Sequence, residues 1–341
     1  MAFLKLKKLK FKKIPKLAWL VLGLFLVLLF FLFLFPVPQA EKIKWGVNFS
    51  AKQATLLGVD WKENYLALLD DLGVKRIKLI TYWDELESEK GKYNFADLDW
   101  QINEAEKREA NILLVVGVKT PRWPECHIPL WAKDFSQEKQ QEEALILLEK
   151  IVLRYRDSSS IWAWQAENEP FFPFGECPWQ DESFVRKEVA LIKLLDKKSR
   201  PVLISDSGEW SFWFRAAKLG DIVGTTLYRK VWSAPAKRYM TYFFPANSYY
   251  WKAKLIEKVF HKKVICVELQ AEPWGRVLLY DLPLVEQEKT MNPLRFKKIV
   301  NFAKRTGFDE FYLWGSEWFF WLKEKQNDPR MWEEARQLFG K

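Results

Sequence analysis

The sequence has little cysteine and almost no histidine, and these shortages exclude several classes of protein. Three cysteines in 341 residues are too few for a small fold built on a disulfide framework. His127 and His261 are the only histidines, and neither HExxH nor CxxC occurs, which argues against a histidine-based metal site. A Ser-His-Asp hydrolase is disfavoured as well, because the sequence has no G-x-S-x-G elbow.

Glycine-rich phosphate-binding motifs are also missing. Neither GxGxxG nor GxxxxGK[ST] occurs, so a nucleotide cofactor would lack its usual phosphate cradle. The chain is 49% hydrophobic, which excludes intrinsic disorder, and it contains 19 tryptophans. Carboxylates and aromatic rings therefore remain as the candidate groups for catalysis and ligand binding. We expect no metal ion and no organic cofactor.

The positive charge of the chain is concentrated at its N-terminus. Seven lysines in residues 1–16 account for most of the net charge of +10, and no acidic residue precedes Glu41. The rest of the chain offers no basic face, so a nucleic-acid partner is not expected. Residues 17–35 carry no charge and as a helix would span about 28 Å, close to the roughly 30 Å hydrocarbon core of a bilayer.

This N-terminal pattern predicts a transmembrane signal anchor at residues 17–35. The positive-inside rule would leave the basic tail, residues 1–16, in the cytoplasm. Beyond a short linker at 36–43, a catalytic domain at 44–341 would then be extracellular, on a single-pass protein of the cell membrane. A cleaved signal peptide is the alternative, but its apolar region usually has only about 7–15 residues.

Short apolar runs alternate with amphipathic stretches along residues 44–341. The runs have the composition of buried parallel strands, and they cover 44–49, 74–80, 111–118, 161–166, 201–206, 222–227, 263–268 and 309–314. The stretches predict helices at 61–72, 98–108, 137–155, 184–197, 249–260 and 292–306. Eight such units predict an α/β fold, a (β/α)8 TIM barrel. A doubly wound sheet is the alternative, but no glycine-rich turn follows the first strand.

Two predicted strands end in carboxylates. The fourth strand runs into Glu167-Asn168-Glu169-Pro170, and the seventh ends in Glu268. Active sites of such barrels lie at the C-terminal strand ends, where strands four and seven face each other across the mouth. A pair of carboxylates suits glycoside hydrolysis. The alternative is structural, with Glu169 capping a helix and Glu268 in a salt bridge, and Glu272 is a rival to Glu268.

The sequence here resembles a known group, the clan A (4/7 superfamily) retaining glycoside hydrolases, which includes cellulase-like and family 42 β-galactosidase-like enzymes. The resemblance is carried by Asn168-Glu169-Pro170 after strand four, Glu268 after strand seven, residues 76–95 (RIKLITYWDELESEKGKYNF) and Tyr312-Leu313-Trp314-Gly315. It implies an enzyme that hydrolyses O-glycosyl compounds by double displacement. Glu169 would be the general acid/base and Glu268 the nucleophile.

The same resemblance implies roles for further residues. Asn168 would bind the sugar 2-hydroxyl, Tyr228 would hydrogen-bond the nucleophile, and Trp314 would form the floor of the −1 subsite. Two positions depart from the group: its strand-two arginine is Lys78 here, and its histidine before the strand-six tyrosine is Thr226. The charge at position 78 survives, but the bidentate fork of an arginine does not, and Arg76 on the same strand face is the alternative.

Other residues near the predicted mouth suit a carbohydrate site. Trp83 and Trp274 are further candidates for stacking on sugar rings, although packing claims most tryptophans in most proteins. Cys126 and Cys177 follow adjacent strands, which predicts a disulfide, whereas Cys266 lies within a strand. Polar residues at strand ends, available for sugar hydroxyls, are Arg122, Glu125, Asp206, Glu209 and Glu317.

The sequence therefore predicts a membrane-anchored glycosidase with an oligo- or polysaccharide substrate. Three other interpretations stay open. A transglycosylase would use the same residues to pass the sugar to an acceptor, and a catalytically silent carbohydrate receptor would keep only binding. A structural protein of the cell envelope would use neither carboxylate. The sequence does not name the sugar, the linkage or the oligomeric state.

Overall fold

The structure is a computed structural model, and it describes residues 15–33, 35 and 37–340. Eight parallel strands close into a barrel in the order β1-β10-β9-β6-β5-β4-β3-β2. The predicted (β/α)8 barrel is confirmed, and the doubly wound alternative is excluded because the sheet closes on itself. The barrel strands are β1 Lys44–Phe49, β2 Arg76–Ile80, β3 Asn111–Val116, β4 Ile161–Ala166, β5 Val202–Asp206, β6 Ile222–Leu227, β9 Lys263–Gln270 and β10 Glu310–Trp314.

A hairpin interrupts the alternation after the sixth barrel strand. Its antiparallel strands are β7 Lys230–Ser233 and β8 Arg238–Thr241, so the predicted seventh and eighth barrel strands are β9 and β10. Helices flank and follow the strands: α1 Lys16–Phe33, α2 Ala51–Leu56, α3 Trp61–Asp70, α4 Trp83–Leu86, α5 Ala96–Lys107, α6 Gln137–Tyr155, α7 Glu182–Leu195, α8 Phe214–Leu219, α9 Ala246–Phe260, α10 Leu284–Thr290, α11 Pro293–Lys304, α12 Ser316–Lys325 and α13 Arg330–Phe339.

Polar side chains cap the N-termini of several barrel helices. Asp60 accepts from the first backbone N–H groups of α3, Ser136 does so for α6, and Asp181 for α7. Each cap satisfies a donor that the helix itself cannot pair. The caps fix where the helices begin, and hence the length of the loops that rise from the strand ends.

The core lies in two zones. Inside the barrel, a layer of apolar side chains fills the axis: Leu113, Ala163, Leu203, Ile265, Val267 and Tyr312. A larger cluster fills the space between the strands and the surrounding helices. Because strand side chains alternate between these zones, the residues at the C-terminal strand ends that follow the inner layer point into the mouth.

The predicted transmembrane anchor is wrong. Helix α1, Lys16–Phe33, begins at a lysine and covers 18 residues, which is about 27 Å against a hydrocarbon core of roughly 30 Å. Across residues 15–33, 35 and 37–340, no helix is both long enough and apolar enough to cross a membrane. The anchor at 17–35, attachment to the membrane through this helix and a cell-membrane location with an extracellular domain are therefore withdrawn. Most of the predicted basic tail, residues 1–14, lies outside the described residues.

Candidate active site

Two buried carboxylates lie at the C-terminal mouth of the barrel. Glu169 follows β4 by three residues, and Glu268 lies in β9, two residues before the strand ends. Their exposed fractions are only 8% and 4%. The charge of Glu268 is the main contribution after burial to the raised pKa of Glu169, so the two carboxyl groups lie within electrostatic reach of each other.

Glu268 is held by two donors from opposite sides. The Lys78 Nζ, on β2, lies 2.9 Å from Oε1, and the Tyr228 hydroxyl, just after β6, donates to Oε2 at 2.9 Å. Lys78 is fully buried. Charge-assisted hydrogen bonds of this kind are short and strong, and they fix the orientation of a carboxylate. Of the two cations on this strand, Lys78 is thus the one that contacts Glu268, whereas Arg76 pairs with Glu310 at the other end of the barrel.

Glu169 is surrounded by neutral donors and by other acids. The Thr226 hydroxyl on β6 donates to its Oε1 at 3.2 Å, and its backbone N–H donates to the Ser205 hydroxyl at 2.9 Å. Burial, and then the negative charges of Glu268 and Glu125, raise the pKa of Glu169 well above its usual range. A protonated carboxyl at neutral pH is what a general acid requires.

The backbone after β4 adopts an unusual conformation. Glu167 and Glu169 have φ values of 61° and 43°, in the left-handed region that non-glycine residues seldom occupy. The Glu167 carboxylate accepts from the backbone N–H groups of Val118 at 2.8 Å and Lys119 at 2.5 Å. These bonds tie the end of β4 to the loop after β3, so that Glu169 is aimed into the mouth.

Asn168 connects the segment after β4 to the loop after β3. Its Nδ2 donates to Glu125 Oε2 at 3.0 Å, and its backbone N–H donates to the Lys119 carbonyl at 2.6 Å. Burial raises the pKa of Glu125 to about 8. Lys119 reaches back to the Glu169 carbonyl at 2.9 Å. One amide hydrogen of Asn168 is therefore used by the protein, and the other is available to a ligand.

Trp314, at the end of β10, makes a cation–π contact with Arg122. The Arg122 guanidinium carbon lies 4.0 Å from the ring centroid. Arg122 also donates to Glu272 Oε1 at 2.5 Å and to Glu317 Oε2 at 3.0 Å. Because Glu272 is paired with Arg122 while Glu268 faces Glu169, the geometry favours Glu268 over Glu272 as the partner of Glu169.

Trp83 does not lie at the mouth. Its ring is 1% exposed, packs edge-on against Trp131 at 5.7 Å and donates its indole N–H to Glu87 at 3.0 Å. The prediction that Trp83 stacks on a sugar is therefore wrong, because helix α4 turns the side chain into the outer core. Trp274 is partly exposed, and its ring meets Tyr228 edge-on at 5.2 Å.

Cys126 and Cys177 form a disulfide with a Cα separation of 5.1 Å. The bond joins the loop after β3 to the loop after β4, beside Glu125 and Asn168. It thus links the two chain segments that carry Glu125 and Glu169. Cys266 is a buried free thiol in β9.

Several contacts at the mouth come from residues that the sequence does not single out. Lys119 and Ser205 both bind the segment that carries Glu169. The signal for them is weak, since each is one polar residue at or near the end of an apolar run. Within the described part of the chain, no group of three or more His, Cys, Asp or Glu side chains is placed to hold a metal ion.

No protein-family model matches the sequence, and no curated protein matches it. Solved structures do match its fold. A β-galactosidase from Rahnella sp. R3 has 12% identity and a TM-score of 0.59, over 90% of this chain and 57% of that one. A GH5_18 variant from Bifidobacterium longum subsp. longum, in complex with Manβ1-4GlcNAc, has 14% identity and a TM-score of 0.60, over 87% and 78%.

An exo-β-1,4-mannosidase from Opitutaceae bacterium strain TAV5 gives 15% identity and a TM-score of 0.55, over 80% of this chain and 51% of that one. The chain shares its (β/α)8 barrel fold with these β-galactosidase, GH5_18 and mannosidase structures. The fold implied by the resemblance is therefore confirmed. The chain spans somewhat more than half the length of the first of these structures, and at such low identity the likeness concerns the fold.

Proposed function

We propose that the chain is a retaining glycoside hydrolase that cleaves β-O-glycosidic bonds, with Glu169 as general acid/base and Glu268 as nucleophile. One observation carries the proposal: the end of β6 contacts both carboxylates. Thr226 donates to Glu169, and Tyr228, two residues later, donates to Glu268. A structural role for Glu169 and Glu268 would not require one strand end to hold two buried acids toward each other.

In the first step, Glu169 gives its proton to the glycosidic oxygen while that oxygen leaves the anomeric carbon. Glu268 attacks the same carbon from the opposite face and forms a covalent glycosyl-enzyme. Lys78 and Tyr228 hold the Glu268 carboxylate in position before the attack. The leaving group departs as a neutral alcohol, and Glu169 is left as a carboxylate.

In the second step, the Glu169 carboxylate takes a proton from water, and the water oxygen attacks the anomeric carbon. The bond to Glu268 breaks, so two inversions give net retention, and Glu169 is protonated again. The free amide hydrogen of Asn168 is available to the 2-hydroxyl, and Trp314 closes the floor beneath the sugar.

The names of the structural neighbours suggest where to look for the substrate. They include β-galactosidases and an exo-β-1,4-mannosidase, and one structure holds Manβ1-4GlcNAc. We therefore propose β-galactosides and β-mannosides as the first substrates to test. Catalysis is ranked above silent binding because Glu169 has the raised pKa that a general acid needs. Transfer to a sugar acceptor uses the same residues, and the products distinguish it from hydrolysis.

The test is a panel of 4-nitrophenyl β-glycosides and β-1,4-linked oligosaccharides with the full chain. Glu169→Ala and Glu268→Ala should each lose turnover by at least a hundredfold, and Glu272→Gln, the matched control, should lose far less. Added azide should restore turnover of Glu268→Ala and give the α-glycosyl azide. Turnover within tenfold of the wild type in Glu268→Ala would refute the assignment. Longer oligosaccharides among the products would instead indicate a transglycosylase.

A further inference from the structure

Four aromatic side chains form an exposed surface beside the mouth. We call Trp210, Tyr242, Phe243 and Phe244 the aromatic platform. Trp210 meets Tyr242 edge-on at 5.7 Å and Phe244 edge-on at 5.9 Å, and Phe243 stacks on Phe244 at 4.7 Å. Trp210 is 60% exposed and Phe243 75% exposed. Large aromatic rings left together in solvent mark a binding surface more often than a packing accident.

The aromatic platform is built by two loops at the C-terminal end of the barrel. Trp210 lies between β5 and α8, and the other three residues lie between the hairpin strand β8 and helix α9. The Tyr242 N–H donates to the Arg229 carbonyl at 2.9 Å, which closes the base of the hairpin next to Tyr228. The platform is therefore continuous with the residues that surround Glu268.

The loop that carries Trp210 is also connected to Glu169 by hydrogen bonds through Thr226. The Gly208 N–H donates to the Thr226 hydroxyl at 3.0 Å, and that hydroxyl donates to Glu169 at 3.2 Å. A Cβ at Gly208 would overlap the Thr226 carbonyl oxygen, so only glycine permits this approach. Glu209, the next residue, accepts from the Tyr228 N–H at 2.9 Å.

The loop of Trp210 places the platform on the side of Glu169, because Gly208, two residues before Trp210, bonds to the Thr226 hydroxyl that donates to Glu169. A general acid protonates the glycosidic oxygen, so the departing sugar lies beside Glu169, on the opposite face of the scissile bond from Glu268.

We infer that the aromatic platform binds the leaving-group sugars of a β-linked oligo- or polysaccharide. This inference rests on the proposed function and narrows its substrate to a chain of sugars, because a glycoside with a small leaving group would leave the platform empty. The apolar C–H face of a pyranose ring stacks on an indole or a phenol, and such a surface binds several sugar types. The platform thus gives affinity for an oligosaccharide or polysaccharide, and it does not select the sugar in the −1 subsite.

Trp210→Ala is the test variant, and Phe212→Ala is its matched control. Phe212 lies in the same loop and is 68% exposed, but its ring stacks on Phe214 at 6.1 Å, outside the platform. Each variant of the full chain is compared with the wild type on a β-glycosyl fluoride and on the β-1,4-linked tetrasaccharide of the same sugar. The fluoride has no sugar as its leaving group, so it does not reach the platform.

Trp210→Ala should lower kcat/KM at least tenfold more on the tetrasaccharide than on the fluoride. Phe212→Ala should change both values by less than twofold. An equal effect of Trp210→Ala on the two substrates, or an effect no larger than that of Phe212→Ala, would overturn the inference.

A binding measurement separates this inference from the proposed function. Migration of the wild type and Trp210→Ala is compared in native gels that contain β-1,4-galactan, β-1,4-mannan or a β-glucan. Retardation that depends on Trp210, without turnover of any substrate, supports the platform and overturns the proposed hydrolysis. Turnover with no dependence on Trp210 in kinetics or in gels overturns the platform alone. If the protein shows no turnover and no retardation, both the platform and the proposed hydrolysis are overturned.

Discussion

Lys78 and Glu268 form an ion pair inside the barrel, with Nζ 2.9 Å from Oε1 and the lysine fully buried. The pair crosses the barrel from β2 to β9, two strands that are not neighbours in the sheet. Removing one partner of a buried pair typically costs about 3–5 kcal/mol, because the other charge is left without compensation. Lys78 is therefore expected to serve both the stability of the barrel and the position of the Glu268 carboxylate.

Lys78→Ala should lower the free energy of unfolding by about 3–5 kcal/mol and kcat/KM by at least a hundredfold. Urea unfolding and steady-state kinetics measure the two effects. The double variant Lys78→Met with Glu268→Gln should recover much of the stability and none of the activity, because it buries no lone charge. A Lys78→Ala protein with wild-type stability and kinetics would show that the pair is incidental.

The pH dependence of turnover should report on Glu169. Burial and the nearby acids Glu268 and Glu125 raise its pKa well above the usual range, so kcat/KM should fall as the pH rises through that raised pKa. Glu169→Gln cannot donate a proton or take one from water. Its rate should fall about 10²–10⁴-fold. Its kcat/KM should also lack the decrease at high pH that the wild type shows. An unchanged alkaline limb in Glu169→Gln would assign that limb to another group.

Stability should also depend on pH through Glu125. Burial raises the pKa of Glu125 to about 8 in the folded chain, against about 4.3 for a free glutamate. The folded state therefore holds a proton that the unfolded state has lost, so this contribution to stability is complete below pH 4.3 and disappears as the pH rises to about 8. The difference in unfolding free energy between the wild type and Glu125→Gln should change across this window. Glu89→Gln, a change on the surface, should show no such trend.

The disulfide should stabilise the mouth. Cys126 and Cys177 are 51 residues apart in the sequence, and a bond that closes a loop of this size typically contributes about 2–4 kcal/mol. The double variant Cys126→Ala with Cys177→Ala should lose that amount in urea unfolding. Reductant should destabilise the wild type and leave the double variant unchanged. An equal response of both proteins to reductant would mean that the bond does not contribute.

Much of the barrel could be predicted from the sequence because its strands are buried on both sides. Such strands are continuous apolar runs, and the predicted limits of β1, β4 and β6 coincide with those in the structure. The hairpin β7–β8 could not be found in this way. Its strands have four residues each and carry partly exposed side chains, so they leave no apolar run.

The candidate site was predicted less completely than the fold. Glu169 and Glu268 could be located because each ends a recognisable strand. Trp83 follows a strand as well, but its side chain direction depends on helix α4, a single turn that the sequence pattern does not reveal. The anchor at residues 17–35 follows from the length of an uncharged apolar run behind a basic tail, and this pattern does not fix where a helix begins and ends: α1 is Lys16–Phe33.

The most direct test of the account is to identify the residue that bonds to the sugar. An activated 2-deoxy-2-fluoro β-glycoside of the sugar found in the panel should form a stable glycosyl-enzyme with the full chain. Peptide mass spectrometry should then find the added mass on Glu268, and Glu268→Ala should remain unlabelled. A label on Glu272, or hydrolysis with inverted configuration and no label, would contradict the account.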